Sequence, residues 1–190
     1  PRTSSAASDV YKRQHHNDHI RNWIDAGLAV CKVDSFVSRG VDSTVDDQLS
    51  VTHAMMLVDA FSTRSLLARD PRFGKIGIAG WSLGGTVALY SAWSPIIDIL
   101  GANFDAHLPF YSAAHIRPDI QNWSDAPILI LHGEDDDWTP IHLVEELITQ
   151  LPNGLMTSTF AFKRSSKIRP DSNEFCLHPS TAFSARPLLS

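Results

Sequence analysis

Between residues 80 and 84 the chain reads Gly-Trp-Ser-Leu-Gly. A serine hydroxyl is a weak nucleophile until a neighbouring base takes its proton. It must also stand clear of the backbone around it before an acyl group can reach it. Glycines two residues to either side of Ser82 meet that second need. They permit a sharp turn with unusual backbone angles, where side chains would collide with the adjoining strand and helix. The run before Ser82, "KIGIAG", is strand-like, and Gly84 to Trp93 reads as a helix of small and apolar residues. This strand–turn–helix context is what the G-x-S-x-G pattern requires. The helix N-terminus then aims free N–H groups at the place where an oxyanion forms, with Leu83 N–H as the expected donor. Ser82 is therefore read as a nucleophile for acyl chemistry.

Such a serine needs a histidine and an acid, and in this turn type the chain order is Ser, acid, His. The acid is sought in "LHGEDDDWTP", at the C-terminal end of the apolar strand "APILILHG", Ala126 to Gly133. Ligands of open α/β sheets bind at such strand ends. Asp135, Asp136 and Asp137 compete there, and spacing alone does not choose among them. Two histidines follow. His142 opens the helix just beyond the acid, too close to swing over Ser82, and reads as a cap or surface residue. His178, in "CLHPST", is the only formal candidate for the base.

The elements that must hold these residues alternate. Residues 16–26 have helical spacing of Ile20, Trp23 and Ile24, closed by Gly27. "LAVCKVD", Leu28 to Asp34, reads as a strand with Cys31 buried in it. Asp46 to Arg69 reads as a long amphipathic helix, with Leu49, Ala54, Leu57, Val58, Phe61 and Leu66 on one face. "FDAHLPFYS", "APILILHG" and "MTSTFAF" are further strands, the second nearly continuous in apolar residues and so central and parallel. Pro140 to Leu151 is a helix with proline near its start. Alternating strands and helices predict an α/β fold with a parallel sheet.

Three segments together carry a family resemblance: "DSFVSRGV" from Asp34 to Val41, the "GWSLGG" turn, and "LHGEDDDWTP". In this order and spacing they resemble the dienelactone hydrolase family of α/β-hydrolases, from about residue 16 to residue 162. The resemblance implies a mostly parallel sheet wrapped by helices. It implies a Ser or Cys, Asp, His triad, and hydrolysis of small-molecule esters or lactones without metal or organic cofactor. The family's acid is the aspartate of G-x-x-D, which selects Asp136 after Gly133. Its histidine follows the last strand in an H-x-F-like segment, whereas here that place is "FKRSSKIRPD". The dienelactone hydrolases that name the family have cysteine where this chain has Ser82. Trp81 in the turn, Trp138 beside the acid, and Phe36 and Arg39 in a loop at a strand's C-terminal end are the candidate substrate contacts. Tyr111 and His115, after another such strand, stand behind them. The alternatives are a serine peptidase or other acyl hydrolase on the same fold, and a catalytically inactive hydrolase-like fragment or binding module.

Both ends depart from this pattern. Ser4 to Gln14, "SSAASDVYKRQ", resembles a translated sequencing-library adapter, so residues 1–14 are read as a non-native tail, 15–162 as a partial α/β-hydrolase domain lacking its N-terminal strands, and 163–190 as an irregular tail, either disordered or out of frame. The second oxyanion donor of such folds comes from an earlier strand's loop, which is not visible here. A net charge of −5 with no basic run argues against nucleic-acid partners. No apolar run approaches the roughly 18 residues of a membrane span. Two cysteines do not make a disulfide framework. His15 and His19 have the i, i+4 spacing of a helical metal pair, but no further ligands accompany them. They read as a solvated helix start, and no metal is expected. The sequence assigns no compartment and no oligomeric state.

Overall fold

The computed structural model describes residues 16–42, 47, 49–149, 151 and 156–162. Among these, residues up to 32 belong to one compact unit and those from 33 onward to another. The first holds a helix, α1, over residues 16–25. It ends as expected on Gly27, whose φ of 85° is the left-handed value a helix stop requires. The Gly27 N–H donates to Ile24 O and the Leu28 N–H to Trp23 O. His19 is buried rather than solvated, its ring 6.1 Å from that of Trp23. His15 lies outside the described residues.

Residues 28–34 are not a strand. Leu28, Val33 and Cys31 are exposed, so Cys31 is not the buried thiol expected. An apolar, β-branched run is only a candidate strand. It becomes one when a neighbour supplies ladder bonds, and no strand is paired with it among the described residues.

The second unit is an α/β layer built on four parallel strands in the order β1-β2-β3-β4: Gly77–Trp81, Ala106–Phe110, Ile128–Gly133 and Met156–Phe162. "APILILHG" is interior and parallel as its composition predicts. Its alternate residues Ile128, Ile130 and His132 are buried. The helices are α2 (His53–Leu67), α3 (Leu83–Tyr90), α4 (Ser94–Leu100) and α5 (Ile141–Ile148). α2 begins later than the expected Asp46 because Thr52 caps it, accepting from the Met55 N–H. Its buried residues are Leu57 and Phe61, while Leu49, Ala54, Val58 and Leu66 are exposed. α3 stops at Tyr90. A separate helix, unforeseen in the sequence, starts at Ser94 with Pro95 in its first turn and closes on Gly101 at φ 77°.

Two apolar clusters lock the layers. Leu89, Trp123, Ile128, Ile130, Val144 and Leu147 join α3 and α5 to β3. Leu57, Phe61, Val87 and Phe104 join α2 to α3, with Ile78 of β1 and Ile76 just before it packed against them. Each fully buried aliphatic side chain is worth about 1.5–3 kcal/mol over exposure. Phe61 and Phe104 meet edge to face at 5.2 Å. His107 on β2 is enclosed in this interior. Its Nδ1 lies 2.9 Å from Ser91 Oγ and 3.2 Å from Ala88 O, and burial pushes it down to about 4 against that carbonyl bond, so it is a neutral core group.

The glycines of the turn divide their work differently from the expectation. A Cβ on Gly80 would lie 2.1 Å from Gly84 O, and one on Gly85 would lie 2.3 Å from Phe110 O. A Cβ on Gly84 would meet nothing within 4 Å. Gly85, not Gly84, is what lets α3 sit on β2. Gly85→Ala should therefore cost about 1–3 kcal/mol through forced backbone shifts. Gly84→Ala should be neutral or stabilise by up to about 1 kcal/mol through helix propensity. Chemical denaturation of the two variants checks this, and equal losses would contradict the packing described.

Candidate functional site

Ser82 links β1 to α3 with φ 53° and ψ −115°, and its side chain is exposed. A non-glycine residue in that region is strained by about 1–3 kcal/mol unless its surroundings fix it. Two backbone bonds do so. The Ser82 N–H donates to Phe110 O at 3.1 Å, and Ser82 O accepts from the Thr86 N–H at 2.9 Å. Thr86 also ties the turn to the segment after β2, its Oγ1 accepting from the Ala113 N–H at 2.9 Å. Leu83 is the first residue of α3, so its N–H has no carbonyl four residues back within the helix. Trp81 stacks on Phe110, its register partner across the ladder, at 5.2 Å and 19°.

Of the three aspartates, Asp136 alone is drawn into the fold. Its Oδ1 accepts from the Trp138 and Thr139 N–H groups at 2.9 and 2.8 Å, and its Oδ2 from the Thr139 hydroxyl at 2.8 Å. Asp135 and Asp137 are exposed. The loop is secured from below by His132, which the sequence reading passed over. Its Nε2 donates to the Thr139 carbonyl, and burial lowers its pKa despite that bond and the nearby Asp136 and Glu145 charges. The signal available was its position in the alternating buried residues of β3.

Parallel register puts the ends of β1, β2 and β3 on one edge, Trp81 beside Phe110 and Phe110 beside Leu131. Two interstrand spacings of roughly 4.8 Å separate the chain at Ser82 from the chain leading to Asp136, about 10 Å in all. Tyr111, after β2, stands between them. The β4 strand ends on the same edge, with Gly133 beside Phe162. His178 lies outside the described residues.

The remaining candidates are placed differently. Arg39 is held by Asp59 of α2 through two bonds, at 2.7 and 2.9 Å, and by Ser35 O at 2.7 Å. The Arg39 bond holds the Asp59 carboxyl below its usual range. This pair fastens the Asp34–Gly40 loop to α2, which engages the guanidinium rather than leaving it for substrate. Phe36 is half-buried in that loop, its N–H donating to Asp34 Oδ1 at 2.9 Å. Trp138 is 91% exposed and encloses nothing. His142 is exposed on α5. His53, in the first turn of α2, has its pKa lowered by burial and then by the charge of His115.

A groove of about 360 Å³ lies elsewhere, lined by Val58, Phe61, Ser65, Leu66, Arg69 and Leu100. These residues cluster where α2 finishes and α4 leads into β2, at the strands' N-terminal ends. Neither Ser82, Tyr111 nor Asp136 lines it. Among the described residues, no helix is long and apolar enough to cross a membrane.

Compared with known proteins, residues 6–161 match the family model described as "Dienelactone hydrolase family". No curated protein matches the chain.

Asp136→Asn separates chemistry from architecture. Asparagine keeps an oxygen for both backbone N–H groups, so the loop should survive. A triad acid changed this way loses the correct histidine tautomer, which lowers the rate on the order of 10⁴. Asp135→Asn and Asp137→Asn should each cost far less. Steady-state rates of the three variants on one ester decide it, and three similar losses would refute the choice of Asp136.

Proposed function

We propose, from the premise that the chain belongs to the dienelactone hydrolase family, that it cleaves ester or lactone bonds of small molecules through Ser82, a histidine and Asp136. Membership makes it a hydrolase of the dienelactone hydrolase type on the α/β-hydrolase fold. The observation that carries the finer reading is the backbone of Ser82: an exposed serine at φ 53°, on the turn between a strand and the helix whose N-terminus faces it.

In this reading Ser82 Oγ attacks the carbonyl carbon as the histidine takes its proton. Negative charge gathers on the carbonyl oxygen, and the Leu83 N–H at the start of α3 is its donor. The histidine returns the proton to the leaving oxygen, and water then releases the acyl group from Ser82. Asp136 orients the histidine and stabilises its charged form. Three hydrogen bonds from Trp138 and Thr139 keep that carboxylate in place, which supports the assignment. His178 is the candidate base. Ser82, where the dienelactone hydrolases that name the family have cysteine, argues for ordinary esters and lactones over dienelactone itself.

The test is hydrolysis of an activated aryl ester by the chain, by Ser82→Ala and by His178→Ala. Ser82→Ala should lower kcat by roughly 10⁶, as for a triad nucleophile. His178→Ala should fall by a similar factor, since nucleophile and base act as a unit. Retained activity in Ser82→Ala would refute the proposal. Retained activity in His178→Ala alone would move the base to another histidine.

A further inference from the structure

Ser82 and Tyr111 are, among the described residues, the two non-glycine positions with positive φ, at 53° and 34°. They follow consecutive strands and repeat one arrangement. The Ser82 N–H donates to Phe110 O at 3.1 Å, and the Tyr111 N–H to Leu131 O at 2.8 Å. A bulky residue at positive φ is an outlier that persists only where the surroundings over-determine it. Here the segment it begins is pinned at several points. Thr86 Oγ1 accepts from the Ala113 N–H, the Tyr90 hydroxyl donates to Ile116 O at 2.7 Å, and Arg117 donates to the Ala114 and Leu143 carbonyls and to Glu146. The Tyr111 side chain is half-buried, and its hydroxyl makes no hydrogen bond among the described residues. Burial, and then the charge of Asp136, push the phenol up to about 12, so it stays a protonated donor. Beside it Ser112 is fully buried with no partner for its hydroxyl among the described residues. Strain, an uncommitted donor and an unpartnered hydroxyl thus meet between the nucleophile and the acid.

We infer that Tyr111 is a catalytic residue on the leaving-group side, its phenol donating a hydrogen bond to the alkoxyl oxygen of the scissile ester. The inference rests on the Ser82–Asp136 reading above. In that reading the oxyanion faces Leu83 at the start of α3. In it the histidine that Asp136 orients hands its proton to the departing oxygen. That oxygen therefore lies on the Asp136 side of Ser82, which is the side Tyr111 occupies. As the tetrahedral intermediate collapses, the bond from the carbonyl carbon to the departing oxygen breaks. Its electron pair stays on that oxygen, which takes the histidine's proton, and Ser82 is left acylated. Tyr111 keeps its own proton throughout. Its hydrogen bond strengthens as charge gathers on the departing oxygen, so it favours the transition state over the bound substrate.

Tyr111→Phe removes the hydroxyl alone. The experiment compares kcat/KM for 4-nitrophenyl acetate and ethyl acetate in the wild-type chain, Tyr111→Phe and Ser82→Ala. Nitrophenoxide departs without assistance, whereas ethoxide needs it. Tyr111→Phe should lose on the order of 10- to 100-fold on the ethyl ester, the worth of a hydrogen bond to a charged group, and little on the aryl ester. A merely structural role would lower both alike. Equal losses, or none, with Ser82→Ala inactive would overturn the role of Tyr111 and leave the Ser82 reading standing. Ser82→Ala retaining activity on both esters would overturn the two together. A wild-type chain that cleaves the aryl but not the ethyl ester would also overturn it, because no assisted departure would then exist.

Discussion

The close approach of two backbones governs this molecule's chemistry. Gly80 in β1 faces the carbonyl of Gly84, and Gly85 faces the carbonyl of Phe110, at separations where a Cβ would lie 2.1 and 2.3 Å from oxygen. Helix α3 can begin immediately after β1 and rest on β2 only because those positions carry no side chain. The chain must then reverse within one residue, and Ser82 takes the conformation that results. Its strain is a consequence of packing on both sides rather than a local preference of serine. The apolar contacts of Val87, Leu89 and Tyr90 bury the rest of α3 and keep the turn from relaxing.

The parallel ladder spreads this constraint sideways. The first residue beyond each of two strands donates to a carbonyl of the neighbouring strand, Ser82 to Phe110 at the end of β2 and Tyr111 to Leu131 within β3. The edge so formed gathers an exposed hydroxyl, a buried hydroxyl, a phenol and a carboxylate within two strand spacings. Its electrostatics follow from that crowding. Asp136 acts on both Tyr111 and His132, helping to raise one and opposing the fall of the other. His132 and Thr139 hold the acid's loop to β3 from beneath, while Thr86 holds the Tyr111 segment to α3.

How much of this could be read in the sequence depended on the range of the interaction responsible. The turn around Ser82 was legible because glycine, strand and helix signals coincide within fifteen residues. β3 was legible because an interior parallel strand is apolar almost throughout. The Leu28–Asp34 run misled, since composition proposes a strand but only a partner makes one. The start of α2 was missed because apolar spacing continues upstream of Thr52, where the cap decides the boundary. Arg39 looked available for substrate until its bond to Asp59, twenty residues away, was seen. Tyr111 could be named only as following a strand. Its strain and its nearness to Asp136 are properties of three strands side by side, which no short stretch encodes.

The central claim is that this geometry makes Ser82 a nucleophile. Its most direct measurement is treatment of the chain with a fluorophosphonate, followed by mass spectrometry of the intact protein and of its peptides. The account predicts one phosphonyl group per chain, carried by the peptide containing Ser82 and absent when Gly80→Val closes the space the turn requires. A label on another serine with Ser82 unmodified, or no covalent adduct at all, would contradict it.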